Sequence, residues 1–102
     1  MWVMDVEFKD RRLRTLMTDE AADTGLPISV IKSARRKIEF LEAAPDERTL
    51  RHWKSLHYEK LLGDREGQRS IRLNLKWRIV FEIDTNANPP KIKIVEIVDY
   101  HD

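Results

Sequence analysis

Hydrophobic positions along the chain change their period twice, and each change marks a new kind of element. Trp2, Met4, Val6 and Phe8 alternate with Val3, Asp5 and Glu7, a two-residue period that predicts a first strand. Asp10 then stands where an N-cap belongs, ahead of Leu13, Leu16, Met17 and Ala21 at helical spacing. Gly25 and Pro27 interrupt the pattern, and Pro27 suits the first turn of a second helix. In that helix Ile28, Ile31, Ala34 (or Arg35), Ile38 and Leu41 recur at steps of three and four, the mark of one buried face. Lys32, Arg36, Lys37 and Glu39 line its other side, and Pro45 requires it to end first.

From about residue 56 the period falls back to two. Ile71, Leu73 and Leu75 alternate with Ser70, Arg72 and Asn74, and Trp77, Ile79, Phe81 and Ile83 with Arg78, Val80 and Glu82. Residues 86–90 are a turn cluster, and residues 91–100 form a last strand dense in Ile and Val. This layout predicts an α+β fold: an N-terminal strand and a two-helix hairpin packed on one face of a twisted antiparallel sheet of about four strands. The 102 residues fit one domain, 1–102, without repeats or low-complexity segments.

Composition narrows the setting. With no cysteine, disulfide and thiolate chemistry are excluded, which suits a reducing cytoplasm. No apolar run approaches the roughly 18 residues of a membrane span, and the first residues lack a signal-peptide pattern. The net charge of +1 hides a local imbalance. Residues 51–81 hold eight basic side chains (Arg51, Lys54, Lys60, Arg65, Arg69, Arg72, Lys76 and Arg78) and three acidic ones (Glu59, Asp64 and Glu66). Such a block inside a near-neutral chain reads either as a local anion site or as a solvated sheet face.

The hairpin around Asn74 sharpens the choice. A three-residue connection at Asn74, Leu75 and Lys76 sets Leu73 opposite Trp77 and Arg72 opposite Arg78, whereas a two-residue turn pairs Arg78 with Ile71. Two like charges facing each other on a sheet are destabilising unless an anion lies between them. Guanidinium groups donate paired hydrogen bonds to phosphate oxygens, so a phosphate answers that requirement. Two arginines splayed into water answer it equally well.

Two further clusters stand out. Leu62-Gly63-Asp64-Arg65-Glu66-Gly67 marks a tight connection that presents Arg65 at its edge, without the spacing of a nucleotide-binding glycine loop. The terminal Asp99-Tyr100-His101 offers an imidazole for proton transfer near neutral pH and a carboxylate to hold its tautomer. The bland alternative is a polar tail. His52 and His57 are five apart, which does not set two ligands on one helix face, and no metal site or cofactor motif is apparent.

Taken in order, Phe8-Lys9-Asp10-Arg11-Arg12-Leu13, Gly63 to Gly67, Ser70 to Asn74, Trp77 to Phe81 and Val98-Asp99-Tyr100-His101 resemble the HigB branch of the RelE/ParE toxin superfamily. The resemblance spans most of the chain and implies a RelE-like fold. It also implies a ribosome-dependent mRNA interferase: a metal-independent endoribonuclease in which the ribose 2′-hydroxyl attacks the adjacent phosphate. Arg78 and Arg72 are then expected to carry the phosphate charge, Asp99 and His101 to move protons, and Tyr100 to stack or position a base. Arg65, Lys60, Arg69 and Lys76 are expected to contact the RNA backbone. The implied partners are a helix-turn-helix, HigA-like antitoxin, the ribosome and mRNA, with operator DNA reached only through the antitoxin. Two positions depart from the family pattern: Leu62 stands where relatives often place a lysine, and Arg69 where they commonly have an aromatic.

Two other readings use the same fold. One is a ParE-like inhibitor of DNA gyrase, which needs no proton donor at the terminus. The other is a catalytically dead relative retained as an antitoxin-bound repressor component.

Overall fold

Alternation at the start of the chain builds a short strand, β1 (Asp5–Phe8), in a computed structural model that describes residues 4–99. Asp10 caps the first helix as its sequence suggests, accepting the Leu13 N–H at 2.9 Å, but helix α1 runs only Arg11–Arg14. The single helix expected through Ala21 is instead broken into α1 and two 3₁₀ turns, Thr15–Met17 and Ala21–Thr24. Threonine chemistry explains the break. The Thr15 and Thr18 hydroxyls donate to the Arg12 and Thr15 carbonyls, local bonds that compete with helix propagation.

Helix α2 (Ile28–Ala43) starts after Pro27 and ends before Pro45. Ile31, Ala34, Ile38 and Leu41 are buried as their spacing predicts, each fully buried aliphatic contributing about 1.5–3 kcal/mol. Ile28 is not: it is 73% exposed, and Val30 takes its place in the core. At about 100° per residue Ile28 lies on the solvent side of Ile31, whereas Val30 falls beside Ala34 and Leu41. A further helix absent from the expectation, α3 (Glu47–His52), follows; the Asp46 carboxylate caps it by accepting the Thr49 N–H. That bond is the chief reason the Asp46 carboxyl lies below the ordinary carboxylate range.

The rest of the chain is a meander of β2 (Glu59–Lys60), β3 (Gln68–Arg72), β4 (Trp77–Asp84) and β5 (Lys91–Asp99). Among the described residues the sheet has five strands in the order β1-β5-β4-β3-β2, one more than expected. The meander is antiparallel, but β1 lies parallel to β5 at the edge. The helices cover the face carrying Ile71, Ile79, Phe81, Ile92 and Ile94. Ser33 fastens α2 to the hairpin by donating to the Leu73 carbonyl at 2.8 Å. Leu75, at the hairpin tip, faces solvent and continues no alternation.

One irregularity decides which side chains of β5 reach the face of the sheet away from the helices. Phe81 pairs with Ile94 but Val80 with Glu96, so β5 carries one extra residue, Val95. The bulge puts Ile94 and Ile97 on the core side and turns Glu96 and Val98 to the opposite face.

Candidate active site

The face away from the helices is organised in rows set by strand register. Arg72 of β3 lies opposite Arg78 of β4, which faces Val98 of β5; Ser70 lies opposite Val80, which faces Glu96. The three-residue connection is confirmed by the hairpin's own bonds. Leu73 N–H donates to the Trp77 carbonyl, and Asn74 Oδ1 accepts the Lys76 and Trp77 N–H groups at 2.8 and 2.9 Å. Asn74 therefore closes the turn that sets the arginine pair.

Arg78 is 7% exposed, an unusual position for a cation on a sheet. Its Nε donates to Ser70 Oγ at 2.8 Å, and its Nη2 donates to the His57 carbonyl. These acceptors fix the guanidinium plane. Arg72 is half-buried beside it, with Nη1 3.3 Å from His57 Nε2. A guanidinium can only donate, so Nε2 is the acceptor in this contact. Among the described residues Arg72 forms no ion pair.

His57 is the site residue that sequence reasoning missed. It ends the 3₁₀ turn Lys54–Leu56 with φ +48°, among the described residues the one non-glycine with positive φ. Continuing the β2–β3 register one pair past Tyr58 brings it alongside Arg72. A non-glycine in this conformation is a useful signal, since strained residues gather at functional sites. Nothing in the spacing of His52 and His57 reveals it.

The remaining candidate residues fall on different parts of the molecule. Arg65, presented by the 3₁₀ turn Gly63–Arg65, donates to Gln68 on β3 and pairs with Glu96 on β5, so it lies across the site face below the arginine pair. Gly63 and Gly67, at φ +66° and +92°, give that turn its backbone path. Lys76 is exposed at the hairpin tip.

Arg69 is not on this face. It pairs with Phe81, whose ring is in the core, and its Nε lies 3.0 Å from Glu47 Oε2 and 3.1 Å from the Tyr58 hydroxyl. Lys60, opposite Arg69, shares that parity at the exposed edge. Asp99 pairs with Trp77, which packs against the core, so the bulge turns Asp99 to the helix side rather than toward Arg72 and Arg78. Tyr100 and His101 lie outside the described residues.

The Glu47–Tyr58–Arg69 cluster perturbs all three groups. Burial, then the hydrogen bond to Glu47, push the Tyr58 phenol up to about 12. Burial would raise the Glu47 carboxyl, but the Tyr58 hydroxyl and the Arg69 charge outweigh it and leave it below its ordinary value. Burial works against the Arg69 cation, yet Tyr58 and Glu47 raise its affinity for the proton. Among the described residues no three His, Asp or Glu side chains converge as a metal site, and no helix is long and apolar enough to cross a membrane.

A buried, hydrogen-bonded arginine beside a second arginine and an imidazole is suited to a phosphodiester. Comparison with known proteins supplies the family. Residues 6–101 match the model of the RelE-like toxin of type II toxin–antitoxin system HigB. The chain belongs to the HigB-like toxin family. Toxin HigB-1 of Vibrio cholerae serotype O1 is 35% identical over 79 residues, 78% of this chain and 83% of that protein. The toxin–antitoxin complex RelBE2 of Mycobacterium tuberculosis shares the fold with a TM-score of 0.59 at 19% identity, covering 100% of this chain and 97% of that one. YafQ from E. coli does so at 0.56 and 10% identity, covering 94% and 92%. This HigB-like chain is therefore a type II toxin by family and RelE-like in fold.

Proposed function

We propose that this HigB-like toxin is a metal-independent endoribonuclease that cleaves mRNA on the ribosome. The observation that carries the proposal is the Arg72/Arg78 pair beside His57 on the sheet face away from the helices. In the reaction a base removes the 2′-hydroxyl proton and the 2′-oxygen bonds to phosphorus. The P–O5′ bond then breaks, leaving a 2′,3′-cyclic phosphate, while an acid protonates the departing 5′-oxygen. Arg78, locked by Ser70 and His57, and Arg72 hold the charge of the phosphorane. We assign proton transfer to imidazoles, His57 beside Arg72 and His101 from the chain terminus. Arg65 and Lys76 guide the neighbouring backbone, and Tyr100 positions a base. The reading extends to a helix-turn-helix, HigA-like antitoxin as partner, with operator DNA reached only through it, and to action in the cytoplasm. Several relatives of this fold are described as toxin–antitoxin complexes.

The test is cleavage of ribosome-bound mRNA by Arg72→Ala and Arg78→Lys. Arg78→Lys keeps the charge but loses the planar fork, and a thermal melt reports whether the fold survives. Each variant is expected to lose about 10²–10³ in turnover. Wild-type cleavage and toxicity in both would refute the assignment. The gyrase reading predicts the reverse: inhibition of supercoiling by purified protein, with no cut message.

A further inference from the structure

On the helix side, exposed cations flank one exposed aromatic. Trp53 caps the end of α3 and is 52% exposed. It is not loose. Its ring sits edge-on against Phe40 of α2, with centroids 5.1 Å apart and planes at 62°, and its carbonyl accepts the Leu56 N–H at 3.0 Å. The residues beside it in the chain, Arg51, His52 and Lys54, are all exposed. On α2, Lys32 and Arg36 are exposed and one turn apart, and Arg36 is one turn from Phe40. They form a stripe running toward the Trp53 ring.

These cations are unspent. The two ion pairs among the described residues use Arg65, Glu96, Arg69 and Glu47, and none of Lys32, Arg36, Arg51 and Lys54. Glu39 sits three residues from Arg36 but forms no ion pair with it. Glu47, the acidic residue of α3, is taken by Arg69 and Tyr58.

We propose that Trp53, with Arg51, Lys54, Lys32 and Arg36, is a second RNA-binding surface that receives a single-stranded or loop segment of RNA. A half-exposed aromatic ring can stack on an unstacked base, and flanking cations meet the phosphates on either side of that base. Trp53 and His57 are four residues apart, so their Cα atoms lie within about 14 Å. The proposal rests on the proposed RNA-directed function and adds to it a holding site separate from the cutting site.

The test uses the full chain and a fluorescent 2′-O-methyl RNA hairpin, which has no attacking hydroxyl and so reports binding alone. Trp53→Ala is expected to weaken binding about tenfold to hundredfold. Trp53→Phe, which retains a stacking ring, is expected to recover most of it. Lys32→Ala with Arg36→Ala is expected to lower the slope of log K against log salt by about 1.4, two single-strand phosphates' worth. These changed positions are surface ones, so the melts of all variants should match wild type within a few degrees.

Unchanged affinity and slope in the Trp53→Ala and the double variants would overturn the proposal. So would intact RNA binding with lost capture of an acidic antitoxin, which would assign the patch to protein. The two readings fail separately: intact message cleavage by Arg72→Ala sinks the catalytic one, and an RNA affinity indifferent to Trp53 sinks this one.

Discussion

Replacing Tyr58 by Phe removes one oxygen from the cluster that anchors the chain on the edge of the sheet beside the candidate site. The hydroxyl donates to Glu47 and accepts from Arg69, while the ring packs edge-on against Phe81, so the substitution leaves the packing and deletes two charge-assisted bonds. The phenol titrates at about 12 in the folded protein against an ordinary 10. A hydrogen bond to a charged group contributes about 1.5–3 kcal/mol, and for this half-buried hydroxyl the low end applies, about 1.5 kcal/mol. For a domain of this size the loss lowers Tm by roughly 6–12 °C at pH 7.

The pH dependence is a sharper check. A raised folded-state pKa means the stabilisation is complete below pH 10 and is lost as pH climbs toward 12, because the unfolded chain gives up its proton first. Thermal melts of wild type and Tyr58→Phe from pH 7 to 11.5 should therefore show a gap in Tm that narrows above pH 10. A gap that is absent at pH 7, or constant throughout, refutes the claim that the hydroxyl works through Glu47 and Arg69. At the acid end the sign reverses. The lowered Glu47 pKa contributes stability that is present above the ordinary 4.5 and lost as pH falls through the folded value.

Two other changes probe the site directly. Ser70→Ala strips the Nε acceptor from Arg78 and should cost about 2 kcal/mol in denaturant unfolding and about tenfold in message cleavage, whereas Ser70→Thr retains both. Full activity in the alanine variant would show that Arg78 needs no such anchor. Leu62 is 84% exposed beside Gly63, so Leu62→Lys should alter stability by less than about 0.5 kcal/mol. If RNA crosses this edge, the same change steepens the salt dependence of binding by about 0.7, which fluorescence anisotropy can read.

Much of this architecture is legible from local rules. The arginine register follows from a three-residue connection with Asn74 at its start, and that amide closes the turn. The stripe on α2 follows from spacing, apart from its first residue. What escapes is whatever depends on a non-local event. Counting two by two from Ile92 and Ile94 places Asp99 on the site face; one extra residue at Val95 reverses that parity for everything after it. His57 reaches Arg72 only because β2 adds to the far edge of β3, and a two-residue strand leaves almost no periodic trace. The expectation for Arg69 came from family resemblance; its period alone, shared with Ile71, already set it on the helix side.

The arginines of β3 show how a fold separates structural from functional charge. Arg69 and Arg72 are three residues apart, on opposite faces, and each meets a partner supplied by the segment before β2. Arg69 meets the Glu47 carboxylate, an ion pair whose side chains are each less than a fifth exposed. Its charge is neutralised where it stands, and its work is to hold α3 against the sheet. Arg72 meets an imidazole nitrogen, which satisfies a donor without supplying a negative charge. The cation is positioned but keeps its charge, and it faces solvent in part, where an incoming anion can reach it. Arg65 lies between these cases, paired with Glu96 at side-chain exposures of 37% and 38%. A surface pair of that kind contributes little stability, so a phosphate can displace the carboxylate at small cost. The counter-group, more than the arginine itself, therefore decides which of these residues stabilise the fold and which remain available to an incoming anion.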